Sequence, residues 1–162
     1  MLTQQLLPLL SRSAPARIVI IASRAHRRAR LNLAALPRGG DCGAFAAYAR
    51  SKLCNMLFMR ALVPRLAQSG VTVNAVHPGV VNTQLFASLP LARSAAALLG
   101  RAFLLSPESG ARCGLYVATA AQLAAVSGEY FESCAPVAPS PAARDARAAE
   151  ELWQLCERLA AL

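Results

Sequence analysis

The chain lacks the apolar run of a membrane-spanning helix, which needs about 18 or more uninterrupted residues. Its most apolar candidate, AAALLGRAFLL, is shorter and is interrupted by Gly100 and Arg101. The opening residues, MLTQQLLPLLSRSAPAR, have no basic region before the apolar part and include a proline. They therefore do not match a secretory signal peptide, and we expect no membrane span in these 162 residues.

Clustered metal ligands are also lacking. The chain has two histidines and five cysteines, and no two cysteines have the C-x-x-C spacing. This pattern argues against a metal site, so we expect none. An odd number of scattered cysteines predicts free thiols in a reducing compartment rather than a disulfide framework.

Lysine is nearly absent, since arginine supplies sixteen of the seventeen basic residues and Lys52 is the exception. A net charge of +9 and the cluster RAHRRAR (24–30) raise the hypothesis of a nucleic-acid site. Aromatic residues make up 6% of the chain, and none interleave with that cluster as stacking platforms would. We therefore expect a solvated or anion-facing loop and no nucleic-acid partner; a nucleic-acid binder, the alternative, would show steep salt dependence.

Short apolar segments alternate with helix-like segments along the chain. Segment 16–23, ARIVIIAS, is β-branched and apolar without alternation, which is typical of a strand buried on both faces of a parallel sheet. Strands are predicted at 16–23, 70–79 and, more weakly, 127–133, and helices at 47–63, after Ser106, and over about 141–159. This order predicts an α/β fold with an open sheet and right-handed crossovers.

Helix boundaries are indicated by prolines and capping residues. Pro64 removes a backbone donor and is expected to kink or end the first predicted helix near residues 60–63. Ser106 and Pro107 are typical of a helix start. Residues 134–141, CAPVAPSP, are expected to be a proline-rich connector, so that 134–162 forms a connector and a final helix.

Tyr48 and Lys52 are four residues apart on a predicted helix, so both side chains project from one face. A nearby ammonium favours the phenolate form of a tyrosine, and such a tyrosine can exchange a proton with an alcohol or carbonyl oxygen. By itself the spacing also fits an exposed surface pair. The context favours chemistry, because Ser23 and the Pro78-Gly79 turn follow two predicted strands and ligands bind beyond the carboxyl ends of parallel strands.

The chain resembles the short-chain dehydrogenase/reductase family, and within it the retinol dehydrogenase-like subgroup. The matching stretches occur in family order and cover nearly the whole chain: SAPARIVIIASRAH, YARSKLCNMLFMRAL, GVTVNAVHPGVVNTQL, SPESGA, SGEYFESC and ELWQLCERLAAL. The resemblance implies a Rossmann-type doubly wound parallel sheet. It also implies an oxidoreductase that interconverts a lipophilic alcohol and its aldehyde or ketone, with NADP(H) favoured over NAD(H).

The resemblance implies roles for individual residues. Tyr48 matches the catalytic acid/base, Lys52 its partner and ribose-binding lysine, and Ser23 the serine that polarises the substrate carbonyl. The turn beside the nicotinamide is matched by Pro78, Gly79, Val81 and Thr83. Residues 84–105 are expected to be the substrate lid, whose apolar composition fits either a hydrophobic substrate or ordinary packing.

The chain departs from the family pattern in one large respect. The TGxxxGxG turn that holds the pyrophosphate and the Asn-Ala-Gly stretch are absent, and RGGDCGAF (38–45) follows no strand. Residues 1–162 are therefore expected to be a partial domain, equivalent to the carboxyl-terminal half, with an exposed edge at 17–23 and poor solubility.

A catalytically inactive interaction partner is the alternative function. Dimerisation through the Tyr48 helix, and a cytoplasmic or endoplasmic-reticulum-associated location, are expectations from the family.

Overall fold

A computed structural model of the chain describes residues 2–38, 43–81 and 105–160. These residues form one sheet with helices on both faces. The strands are β1 (Ala16–Ile21), β2 (Val71–His77), β3 (Tyr130–Glu132) and β4 (Ala135–Pro136). The helices are α1 (Leu2–Arg12), α2 (Ala44–Arg65), α3 (Pro107–Thr119) and α4 (Ala146–Ala160). Short 3₁₀ turns lie at Arg24–Arg28, Leu33–Arg38, Ala121–Leu123 and Pro141–Arg144.

The sheet has the strand order β1-β2-β3-β4. The first three strands are parallel, with Ile18 opposite Val73 and Ala75 opposite Tyr130. Strand β4 runs antiparallel to β3. The predicted α/β class is confirmed, and the carboxyl ends of β1 and β2 meet at one edge of the sheet, where Ser23 and Pro78 follow them.

Both faces of the sheet are covered by apolar helix surfaces. On one face, Leu53, Met56 and Leu57 of α2 are fully or almost fully buried beneath α4. The ring of Trp153 from α4 stacks on Phe58 at 5.5 Å between centroids. On the other face, Val117 of α3 packs with the buried residues of β2 and β3. Cover on both faces of the sheet explains why β1, partly buried as far as Ile20, and β2, buried except at Thr72, are mostly apolar.

The side chain of Asn74 fixes the start of β3. Its Nδ2 donates to the carbonyl of Val126 at 2.7 Å, and its Oδ1 accepts from the N–H of Glu129 at 3.0 Å. Gly128 between them has a φ of +86°, which favours glycine. The strand is therefore shorter than the predicted 127–133, because residues 127–129 form the turn that enters it.

Helix α2 passes Pro64 and ends at Arg65, later than the expected end at 60–63. The amide of Leu66 still donates to the carbonyl of Leu62 at 2.9 Å. Proline removes the one hydrogen bond to the carbonyl of Arg60, and Arg60 is exposed, so water can solvate that oxygen.

The region 134–160 contains more structure than the predicted connector and helix. Residues Ala135–Pro136 form β4 inside the proline-rich segment. The final helix starts at Ala146 rather than at Pro141, because Pro141 belongs to a separate 3₁₀ turn that Ser140 caps. Asp145 then caps α4, its Oδ1 accepting from the amide of Ala148 at 3.0 Å.

Among the strands that the structure describes, β1 lies at an edge of the sheet. Ile21 at its end is 49% exposed. Leu2, Leu6 and Leu9 of α1 are also exposed. Across the described ranges, each helix is too short or too polar to cross a membrane. Thr83 and the predicted lid at 84–105, apart from Leu105, lie outside the described residues.

Candidate active site

Helix α2 carries Tyr48 and Lys52 on one face, as their spacing predicts. The Nζ atom of Lys52 lies 5.5 Å from the centroid of the Tyr48 ring, within the range of a cation–π contact. Both side chains are half-buried, and the buried Leu53 beside Lys52 anchors this part of the helix in the core. The pair is thus held at the surface of a packed helix.

Lys52 also contacts the end of β1. Its Nζ donates to the carbonyl oxygen of Ile21 at 3.2 Å, and Nδ2 of Asn55 donates to the same oxygen at 3.1 Å. Two side chains of α2 therefore satisfy the last carbonyl of β1. An ammonium has three donors, so this bond leaves others for a ligand.

The Pro78-Gly79 turn follows β2 and forms another wall of the site. Gly79 has a φ of +88°, and a Cβ atom there would lie 2.5 Å from Cδ1 of Leu105. The backbone conformation favours glycine, and the side chain of Leu105 would have to shift to admit a Cβ. The amide of Leu105 donates to the carbonyl of Val80 at 2.9 Å, which places the start of α3 beside the turn.

One cleft of about 570 Å³ is lined by Tyr48, Lys52, Pro78, Gly79 and Val81. The structure therefore brings together five of the seven predicted site residues. Ile21 and Ala22 at the end of β1 complete the floor of the cleft. A volume of this size lies within the roughly 300–1,000 Å³ typical of small-molecule sites.

Ser23 lies next to the cleft rather than in its described lining. It is 8% exposed and follows Ala22, which does line the cleft. Its Oγ accepts from the amide of Ala25 at 3.2 Å and so caps the turn Arg24–Arg28. A hydroxyl that accepts this bond can still donate its own proton.

The opposite wall of the cleft comes from helix α3, which the sequence analysis did not assign to the site. Gly110, Ala111 and Gly114 line it, and a Cβ on Gly110 would collide with Val81. The small residues in SPESGARCG are the signal that could have indicated this wall, because positions 110 and 114 fall on one helix face.

The arginine-rich loop after β1 is paired with an acidic residue. Nε of Arg24 and Nη2 of Arg27 lie 2.6 and 3.4 Å from the carboxylate of Glu132, at the end of β3. Burial raises the pKa of Glu132, but Arg24, the Tyr130 hydroxyl and Arg27 together outweigh it and hold that pKa below its usual range. At least two of the clustered arginines thus pair with a carboxylate of the same chain.

His77 lies at the end of β2 near this charged group and is 9% exposed. Burial lowers its pKa, and the nearby charge of Arg24 lowers that pKa further. Both effects favour the neutral imidazole. Within the described ranges, no three histidine, cysteine or acidic side chains cluster as metal ligands would.

Comparison with known proteins identifies the family. A family model described as short chain dehydrogenase matches residues 1–93. The chain is also 44% identical to dehydrogenase/reductase SDR family member 13 of Bos taurus, over 100% of this chain and 44% of that protein. The chain belongs to the short-chain dehydrogenase family. The predicted oxidoreductase family is therefore confirmed.

The subgroup resemblance is confirmed by a second relative. Retinol dehydrogenase 14 of Mus musculus is 39% identical over 97% of this chain and 48% of its own length. A solved structure of an uncharacterised protein from Mycobacterium Paratuberculosis has a TM-score of 0.66 and 31% identity, covering 89% of this chain and 50% of that one. The chain thus spans about half the length of the curated relatives it matches.

Proposed function

We propose that this chain provides the catalytic half of an NAD(P)H-dependent oxidoreductase that interconverts a lipophilic alcohol and its carbonyl compound, with NADP(H) preferred. The observation that carries the proposal is the cleft shared by Tyr48, Lys52 and the Pro78-Gly79 turn. Relatives named retinol dehydrogenase support a retinoid-like substrate. The cleft's lining is largely apolar, which suits a lipophilic molecule.

The residues present fit the nicotinamide and ribose part of the cofactor. Gly114 of α3 lines the cleft, and nothing lies within 4 Å of the position that its Cβ would take, so a flat ring can approach the backbone there. The donors of Lys52 not used by Ile21 would bind the ribose hydroxyls. Bound NAD(P)H would supply the hydride for the carbonyl carbon.

Within this chain, Tyr48 would move the proton. In the reduction, its hydroxyl gives a proton to the substrate oxygen, and the phenolate left behind is stabilised by the ammonium of Lys52. Ser23, at the end of β1, donates a hydrogen bond to the same oxygen as negative charge develops there. The phenolate then regains a proton from solvent, which restores the site.

The pyrophosphate part of the cofactor requires residues beyond this set. No TGxxxGxG turn occurs in these 162 residues, and in the part of the chain that the structure describes β1 is the edge strand, to which further parallel strands could pair. We infer that the glycine-rich turn is supplied by chain that pairs with the edge of β1. The remaining part of the Rossmann-type sheet would lie there.

The direct test is a chimera in which these 162 residues replace the matching segment of the Bos taurus relative. We expect it to oxidise NADPH when given retinaldehyde, with a lower rate for NADH. An inactive chimera that folds and binds NADPH would contradict the proposed function. That result would support the alternative, a partner without catalysis. Dimerisation through α2 stays a prediction that the mass of the same chimera in solution can check.

A further inference from the structure

His26 is a fully buried histidine beside the proposed catalytic serine. It lies in the turn Arg24–Arg28, with 0% exposure, and Ser23 caps that turn. The ring meets the edge of Tyr130 at 5.1 Å and 84°. Burying an imidazole is costly unless both ring nitrogens have hydrogen-bond partners. The partners of the two nitrogens of His26 therefore show what the ring holds in place.

Both ring nitrogens of His26 have backbone partners. Nδ1 lies 2.6 Å from the carbonyl oxygen of Ser23, and Nε2 lies 3.2 Å from the amide nitrogen of Ser140. A carbonyl can only accept and an amide N–H can only donate. Nδ1 must therefore carry the proton and Nε2 must accept, which specifies the neutral Nδ1–H tautomer.

The surroundings of His26 agree with a neutral ring. Burial lowers its pKa and outweighs the hydrogen bond to Ser23, which acts in the opposite direction. Four charged or titratable groups face the ring: Arg27 on its own turn, Glu132 and Tyr130 on β3, and His77 on β2. A second proton would place an N–H of the ring against the N–H of Ser140.

The backbone of Ser23 is held on two sides, by the sheet through the preceding residue and by the ring of His26. On the strand side, the amide of Ala22 donates to the carbonyl of Val76 at 2.8 Å. On the other side, the Ser23 carbonyl accepts from the His26 ring and also from the His26 amide at 3.1 Å. Ser140, which holds the far side of the ring, is 6% exposed and caps its own turn.

We propose that His26 is a positioning residue for Ser23: its ring, clamped between the Ser23 carbonyl and the Ser140 amide, sets the backbone from which the Ser23 hydroxyl reaches the substrate. This role rests on the function proposed above for Ser23. Ser140 lies 114 residues from His26 along the chain, so the ring joins two distant segments through a single tautomer.

The first test is the tautomer of His26 in the unmodified chain, read from long-range ¹H–¹⁵N spectra. The chain has two histidines, so a His77→Gln variant assigns the signals. We expect a protonated Nδ1 and an unprotonated Nε2 for His26 at neutral pH. An Nε2–H tautomer or a doubly protonated ring would overturn the proposal.

The second test compares His26→Asn with His26→Gln. Asparagine places an amide donor near the position of Nδ1, whereas the glutamine amide reaches the position of Nε2. We expect His26→Gln to raise the exchange rate of the Ala25 amide, which donates to the Ser23 hydroxyl, at least about tenfold, and His26→Asn to restore most of the protection. Equal exchange in both variants would count against a role for the Nδ1 contact.

Kinetics of the chimera separate this inference from the proposed function. We expect His26→Gln to lower kcat at least about tenfold with little change in KM, and His26→Asn to recover part of that loss. Unchanged kcat in both variants would overturn the proposal. If the chimera is inactive but the tautomer and exchange results hold, the proposed function fails while the clamp on Ser23 stands.

Discussion

Lys52 donates a hydrogen bond from Nζ to the carbonyl oxygen of Ile21 at 3.2 Å, which ties helix α2 to the end of β1. The same ammonium lies 5.5 Å from the centre of the Tyr48 ring. One lysine thus contacts both the strand end and the tyrosine from a single position. A planar guanidinium is bulkier and cannot reproduce these contacts in the same space.

Replacing Lys52 with arginine should therefore impair turnover more than stability. Asn55 still donates to the Ile21 carbonyl at 3.1 Å, so we expect the free energy of unfolding to change by about 0.5 kcal/mol or less. The kcat of the chimera should fall about a hundredfold. Arg60→Lys, the reverse exchange at an exposed position of the same helix, is the control. An unchanged kcat in Lys52→Arg would contradict the claim that arginine cannot replace lysine at this position.

Gly79→Ala should destabilise the chain. The φ of +88° is unfavourable for alanine, and the new methyl group would press on Leu105. We expect a loss of about 1–3 kcal/mol in the free energy of unfolding, measured by urea denaturation. Gly114→Ala is the matched control: it lies in α3 with open space around its Cα, so alanine should stabilise by about 0.5–1 kcal/mol. Equal effects at both positions would contradict the described turn.

Stability should depend on the ionisation of Glu132. Its pKa is lowered in the folded chain by Arg24, Tyr130 and Arg27, so the carboxylate stabilises the fold above its ordinary pKa. That contribution is lost as the pH falls through the ordinary range, about 4.3, towards the lower folded value. The stability difference between the wild type and Glu132→Gln should be largest near neutral pH and shrink below about pH 4.

Glu129→Gln is the control for this titration, because Glu129 lies on the same segment and is exposed. Its effect on the free energy of unfolding should be small at every pH. If Glu132→Gln shows a stability deficit that does not vary between neutral and acidic pH, the ion pairs with Arg24 and Arg27 are not the cause.

The fold was predictable where the sequence has a clear hydrophobic period and clear turn or capping residues. Strands β1 and β2 and helix α2 follow from apolar runs and helical spacing, since burial on the sheet dictates them directly. Strand β4 was missed because two residues in a proline-rich segment carry no periodic signal. The start of α4 was misplaced because Ser140 and Asp145 are both capping residues, and only the packed structure separates the turn from the helix.

The site was predictable to the extent that it depends on local spacing. Tyr48 and Lys52 share a helix face, and the Pro78-Gly79 turn follows a strand, so their meeting at the sheet edge could be inferred. Gly110 and His26 were missed, because their roles depend on contacts with Val81 and with Ser23 and Ser140. Contacts between distant segments leave no pattern in a single sequence.

Cofactor binding by these 162 residues alone should be weak. The cleft offers Lys52 and the Pro78-Gly79 turn, but the sequence has no glycine-rich loop for the pyrophosphate. We expect titration with NADPH, followed by fluorescence, to show little or no saturable binding, whereas the chimera binds it. Tight, stoichiometric binding by the chain alone would show that its own residues hold the whole dinucleotide.

The most direct measurement is the rate of NADPH oxidation by the chimera carrying Tyr48→Phe, with retinaldehyde as substrate. Phenylalanine keeps the ring beside Lys52 but removes the proton, so kcat should fall by about 10²- to 10⁴-fold while the free energy of unfolding stays nearly constant. Tyr116→Phe, which removes a hydroxyl from α3 that accepts a bond from Gln122, should leave kcat nearly unchanged. Equal rates for Tyr48→Phe and the unmodified chimera would contradict the assignment of Tyr48 as the proton donor.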